Sequence, residues 1–163
     1  MERKTSTFKR IFGSGPAGLV ISLVLLFLAG WINTQIDLPS LSDNRFLLNA
    51  LFMATGCVTL IIIVWSFKSL PAADRGNKLC TSGAFRYVRH PLYAAFLSVF
   101  NFGLVIWLNS YVFVLWALLL HPIWHYLVRD EEQMMIDIFG ETYIEYQKKT
   151  GRFFPRLIMK RTE

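Results

Sequence analysis

From His90 to Val128 the chain runs for 39 residues without a Lys, Arg, Asp or Glu. It is bounded by Arg86-Tyr87-Val88-Arg89 on one side and Arg129-Asp130-Glu131-Glu132 on the other. A crossing of the bilayer needs about 20 predominantly apolar residues, and inside lipid the backbone must satisfy its own polar groups, which favours helix. Asn109-Ser110 near the middle supplies a turn signal. The run therefore reads as two helices in a hairpin. Its charged flanks would then meet at one membrane surface, with basic residues and a histidine at the entrance and a pair of carboxylates at the exit.

Two further uncharged windows, Ile11 to Ile36 and Phe46 to Phe67, each hold one more span. The expected crossings are 16–35, 46–67, 92–108 and 111–128, and the fold class is all-α, integral membrane. Only 17% of the 163 residues are charged and 54% are hydrophobic, against about 25% charged in soluble domains. The third and fourth crossings are short and rely on tilt or local thinning. Of the seventeen Lys and Arg, sixteen fall in the N-terminal arm, the middle loop and the tail; Arg45 alone lies in the first loop. The rule that basic loops stay inside puts both termini in the cytoplasm, with the protein in an inner or plasma membrane. Basic flanks beside anionic lipid account for the net charge of +6 without a nucleic-acid partner. The first span resembles a signal peptide in having a basic arm, but its apolar run is too long and no small-x-small site follows, so it is expected to be retained.

One membrane domain, 1–163, results. It comprises a basic arm (1–15), two spans (16–67), a cytoplasmic loop (68–91), a helical hairpin (92–128) and a cytoplasmic amphipathic tail helix (129–163). Gly56 in the second span suggests close helix packing. In the tail, Met134, Met135, Ile138 and Phe139 share a face, Gly140 interrupts the helix, and Glu145 and Lys149 stand four apart. Arg152-Phe153-Phe154-Pro155-Arg156 suits a headgroup layer. Cys57 and Cys80 are too separated to pair, and the compartment is reducing, so no disulfide is expected.

Chemistry concentrates in two places. Pro91 suits the first turn of a helix, which puts His90 at its cap, where unpaired N–H groups favour an anion. Arg89 can fork onto a carboxylate or phosphate, and Tyr93 can stack on a flat ring. An ordinary membrane boundary would use the same residue types. Glu131 and Glu132 point about 100° apart on a helix, so they do different work: one faces inward to accept from hydroxyls or an ammonium, the other pairs with Arg129 or stays in water. The helix dipole favours acids there in any case. His121 and His125 share a helix face at zinc-like spacing, but no third ligand is evident, and no metal is expected.

Taken in order, Gly83-x-x-Arg86-Tyr87-x-Arg89-His90-Pro91-x-Tyr93, the hairpin, Glu131-Glu132 and Phe139-Gly140-x-x-Tyr143-x-x-Tyr146, then Arg152 and Pro155, resemble the isoprenylcysteine carboxyl methyltransferase and phospholipid methyltransferase superfamily over about residues 78–156. The resemblance implies S-adenosylmethionine bound at the cytoplasmic face of the last helices and a lipidic or small apolar methyl acceptor arriving from the bilayer. It makes Arg89, His90, Pro91, Tyr93, Glu131, Glu132 and Tyr143 cofactor-pocket residues, and Glu132 with Arg129 the candidate catalytic residues. The N-terminal half is not covered, so neither the acceptor nor the oligomeric state follows. Two other readings stay open: a membrane reductase using a nicotinamide cofactor, and a non-enzymatic protein that binds lipid or a partner.

Overall fold

The computed structural model describes residues 13–71, 74 and 77–156; the basic arm through residue 12 and the tail beyond 156 lie outside the described residues. Among the described residues there are six helices: α1 (Gly15–Gln35), α2 (Arg45–Ser69), α3 (Pro91–Leu108), α4 (Tyr111–Leu127), α5 (Arg129–Phe139) and α6 (Glu141–Lys149). A 3₁₀ turn, Gly83–Arg86, precedes α3. No strand occurs among the described residues, only the isolated bridges Ser40–Ser110 and Val88–Gly151. Among the described residues four helices are long and apolar enough to cross a membrane, and the last candidate segment continues from α4 through α5, Tyr111–Phe139.

Local chemistry sets the boundaries. Pro16 occupies the first turn of α1, where its missing N–H costs nothing. Asn44 caps α2 by accepting from the Leu47 N–H at 3.0 Å. Pro91 opens α3 and His90 is its N-cap. α3 ends at Asn109, whose φ of 59° is left-handed, a conformation asparagine tolerates better than most residues. The Asn109 side chain also clamps the first loop: it accepts from the Ser42 N–H at 3.0 Å and donates to the Ser42 carbonyl at 2.9 Å.

α1 packs on α4, and α2 packs on α3. In lipid this association rests on close packing and interhelical hydrogen bonds. The Trp116 indole donates to the Ser22 carbonyl at 3.3 Å, and the Trp124 indole to the Ser22 hydroxyl at 3.0 Å, tying α4 to α1. The expected close approach at Gly56 is not there: a Cβ at that position would meet nothing within 4 Å. Close approach occurs instead at Gly18, against the Trp124 ring, and at Gly103, against Thr55. Within α3, Ala95–Phe100 winds as one π-helical turn, a feature frequent near functional sites.

Beyond α4 the tail is broken, as its glycine suggested. Gly140 adopts φ 56° and ψ −133° between α5 and α6. Glu145 pairs with Lys148 at 2.6 Å rather than with Lys149. The segment expected at the headgroups turns inward at its start: Phe153 is buried and Arg152 half-buried.

Candidate active site

The Arg89-His90 pair is fixed by backbone before its side chains do anything. The Arg89 N–H donates to the Gly151 carbonyl at 2.8 Å, and the His90 N–H to the Arg152 carbonyl at 3.1 Å. This short parallel pairing lets a segment sixty residues downstream set where the start of α3 sits. Phe153 completes the clamp, stacking on His125 with centroids 4.8 Å apart and lying 6.0 Å from His90.

Glu132 is the hub. Its Oε1 accepts from Arg89 Nε at 2.9 Å and Nη2 at 2.8 Å, and from His90 Nε2 at 3.2 Å. Its Oε2 accepts from Arg152 Nη2 and from Gln147 Nε2 at 3.4 Å. The side chain is 5% exposed. Five donors from four residues leave it no free capacity, which is the condition under which a buried charge is tolerated.

Glu131 points elsewhere, as adjacent helix positions must. Its Oε1 accepts from the Tyr93 hydroxyl at 3.0 Å and from the Ser14 N–H. Oε2 is 3.7 Å from His90 Nδ1, beyond hydrogen-bonding distance. His90 is thus set between the two carboxylates, its ring stacked on Tyr93 at 5.5 Å. Ser14 also donates through its hydroxyl to the Leu127 carbonyl at 2.7 Å, so the start of α1 is sealed to the end of α4. Gly13 makes the close approach to Glu131 permissible: a Cβ there would fall 2.4 Å from Oε1.

These groups border a cavity of about 430 Å³, within the size range of small-molecule sites. Arg89, His90, Pro91, Tyr93, Glu131 and Tyr143 line its polar side; Glu132 stands behind that wall. Its apolar side comes from Pro16 of α1, Phe67 and Leu70 at the end of α2, Leu92, Met134 and Met135. The cavity thus lies between the start of α1 and the end of α2, under α5. Burial, then the nearby Glu132 carboxylate, pushes the Tyr143 phenol up; burial, then Tyr143, does the same to Tyr146. Both remain protonated donors at neutral pH, and the Tyr146 hydroxyl is bonded to the Phe85 carbonyl at 2.5 Å.

Of the residues singled out in the sequence, Arg89, His90, Pro91, Tyr93, Glu131, Glu132 and Tyr143 are brought together. Arg129 is not: it lies exposed over the Tyr126 ring at 5.6 Å, and no ion pair joins it to either glutamate. His121 and His125 stack on Phe154 and Phe153. Ser14, Gln147 and the inward role of Arg152 escaped sequence reasoning. Arg152 carried a weak signal, since it follows the tyrosine motif at a fixed distance; Ser14 carried none.

Residues 17–142 match the family model described as phospholipid methyltransferase. Among curated proteins, the chain is 31% identical over 93 residues to the protein-S-isoprenylcysteine O-methyltransferase of Schizosaccharomyces pombe, covering 55% of this chain and 39% of that protein. It is 33% identical to the cobalt-zinc-cadmium resistance protein CzcN of Cupriavidus metallidurans, covering 55% of this chain and 41% of the other. It is also 33% identical to the methanethiol S-methyltransferase of Pseudomonas deceptionensis, covering 53% and 32% respectively. The chain thus matches well under half the length of these relatives.

Proposed function

The chain belongs to the phospholipid methyltransferase family, and we propose that it is an S-adenosylmethionine-dependent methyltransferase acting in the membrane on a lipidic or small apolar acceptor. One observation carries the reading: a single cavity joins a polar wall built by Arg89, His90, Tyr93, Glu131 and Tyr143 to an apolar wall formed by α1, α2 and α5. A nucleoside sulfonium needs the first and a hydrocarbon substituent needs the second.

In this proposal Arg89, His90, Pro91, Tyr93, Glu131 and Tyr143 contact the cofactor, and Glu132 holds Arg89 and His90 in place. The residues fit such a ligand chemically. A guanidinium suits a carboxylate, aromatic rings suit an adenine face or a cation, and a carboxylate suits ribose hydroxyls or an ammonium. When bound, the cofactor supplies an electrophilic methyl on a positively charged sulfur. The protein's part is to hold the acceptor in line and keep water out, an effect worth up to about 7–11 kcal/mol when alignment is good. The acceptor's chain reaches the site from lipid past Pro16 and Phe67. The names of the relatives suggest an isoprenylcysteine carboxylate or a thiol, and the family name a phospholipid amine.

The end of the bundle that carries this site is proposed to face the cytoplasm, with both termini. With Cys57 and Cys80 replaced, a cysteine at Ser40 is expected to react with an impermeant maleimide from outside intact cells, and one at Lys78 only after permeabilisation. The reverse pattern inverts the topology. Function itself is tested by titrating lipid-embedded protein with S-adenosylhomocysteine and, in parallel, with NADPH. Stabilisation by the first alone is expected. Stabilisation by NADPH alone assigns the site to a reductase; response to neither removes the enzymatic reading.

A further inference from the structure

At the opposite end of the bundle, near the Asn109-Ser110 turn, a second opening of about 530 Å³ lies between α1 and α3. Phe27, Gly30 and Trp31 form one wall, Leu104 and Trp107 the other, and Phe113 of α4 adds to the lining. Gly30 leaves the space open, since a Cβ there would meet nothing within 4 Å. Among the described residues no ionisable side chain borders this opening. An apolar chain suits it, and a charged headgroup does not.

Two apolar stripes lead from the candidate site to this opening. On α1, Pro16, Leu19, Leu23, Phe27 and Gly30 follow at steps of three and four residues, which places them on one face. Pro16 borders the first cavity, and Phe27 and Gly30 the second. Leu19, Leu23 and Phe27 are exposed between them. On α3, Leu92 borders the first cavity and Trp107 the second. A series of rings joins these two ends. Phe96 lies 6.1 Å from Phe100, Phe100 lies 6.0 Å from Phe52 of α2, and Phe52 stacks on Trp107 at 5.4 Å. The π-helical turn Ala95–Phe100 carries the first two rings. α1 packs on α4, and α2 packs on α3. The stripes thus border one trough, open to lipid, that runs from one cavity to the other.

We propose that this trough holds the hydrocarbon chain of the methyl acceptor, and that the opening at Gly30 and Trp107 receives the chain's end and sets its length. The acceptor is then a long-chain lipid rather than a small molecule. This rests on the methyl-transfer reading above. At 1.5 Å per residue, Gly30 stands about 21 Å from Pro16 along α1, the reach of an extended chain of about eighteen carbons. Continuity with the candidate site names the occupant. A chain whose reacting head lies in the first cavity leaves it past Pro16 and Phe67, and the trough begins there. Once the head is bound, the chain meets the trough at a high effective concentration, which favours it over bulk lipid on the same surface. Transfer from lipid to protein brings no hydrophobic gain, so discrimination comes from close packing on the rings and from the closed end.

The test compares wild type and Gly30→Leu in lipid nanodiscs, using octyl, dodecyl and octadecyl members of three probe series: alkanethiols, alkylamines and N-acetyl-S-alkylcysteines. Gly30→Leu fills the far opening and leaves the first cavity untouched. In whichever series is methylated, it should lower kcat/KM for the octadecyl probe by about tenfold or more. The octyl value and the affinity for S-adenosylhomocysteine should stay within about twofold. Partition into the bilayer is the same for both proteins and cancels from the comparison. A second measurement decides even where none of the series is methylated. Octadecyl probes carrying a diazirine at the chain end, photolysed with S-adenosylhomocysteine bound, should label wild type around Gly30 and Trp107, and octyl probes should label α3 no further along than Phe100. Equal effects of Gly30→Leu on both chain lengths, no effect on either, or octadecyl labels scattered over the lipid-facing helices overturn the trough. Wild-type protein that does not bind S-adenosylhomocysteine overturns the methyl-transfer reading itself; binding without labelling at Gly30 and Trp107 overturns the trough alone.

Discussion

Replacing Glu132 by alanine should be among the most destabilising single changes at this end of the bundle. The carboxylate it removes is bonded to Arg89 at 2.8 and 2.9 Å, to His90 at 3.2 Å and to Arg152. The Arg89 side chain is only 10% exposed, so its guanidinium loses its counter-charge where little water can replace it. Breaking a buried pair by removing one partner costs about 3–5 kcal/mol. Glu131→Ala removes two donors' partner at a more exposed place, a loss of about 1–3 kcal/mol. Arg129→Ala, on the surface beside Tyr126, should stay within about 0.5 kcal/mol of wild type. Reversible unfolding by sodium dodecyl sulfate in bicelles, followed by tryptophan fluorescence, reads all three. The expected order of destabilisation is Glu132, then Glu131, then Arg129. Glu132→Ala that costs under about 1 kcal/mol, or no more than Glu131→Ala, would refute the assignment of Glu132 as the hub.

Three further outcomes follow from geometry. Gly18→Leu should destabilise by about 1–3 kcal/mol, because a Cβ there lies 2.5 Å from the Trp124 ring, while Gly30→Leu, with nothing within 4 Å, should not; the same unfolding assay distinguishes them. Gly140→Ala should cost about 1–3 kcal/mol, since φ 56° with ψ −133° is a glycine conformation, and α6 should lose hydrogen-exchange protection before the membrane helices do. Burial raises the folded-state pKa of Tyr143 and Tyr146. Their contribution to stability is therefore complete below the unfolded phenol value of about 10 and lost as pH rises above it; unfolding measured on both sides of that value should show the decline, and Tyr146→Phe should flatten it.

The membrane helices were legible because their signal is local. Uncharged runs of sufficient length, Pro16 and Pro91 at helix starts, and Asn109-Ser110 in the turn place all four spans within one or two residues of the observed α1 to α4. Gly140 marked the break in the tail for the same reason. The motif residues before α3 and after α4 were legible as a set, since a hairpin brings its ends together. Legibility ended where contacts skip far along the chain. Ser14 meets Glu131 across 117 positions and Arg89 meets the Thr150 carbonyl across 61, and neither pairing leaves a periodicity. Arg152-Phe153 reads as a headgroup-facing pair because aromatic and basic residues are favoured there; the backbone bonds from Arg89 and His90 draw it inward instead. The two glutamates were expected to differ, but which one turns to the cavity depends on where Arg89, Arg152 and Tyr93 stand, and only the fold sets that.

The methyl donor is proposed to bind in one cavity, bounded by Arg89, His90, Tyr93, Glu131 and Tyr143. A structure of the lipid-embedded protein determined at saturating S-adenosylhomocysteine tests it most directly. The nucleoside and its sulfur are expected inside that cavity, within hydrogen-bonding reach of Glu131 Oε2 or Arg89. A ligand seated at any other face, with this cavity unchanged and empty, would contradict it.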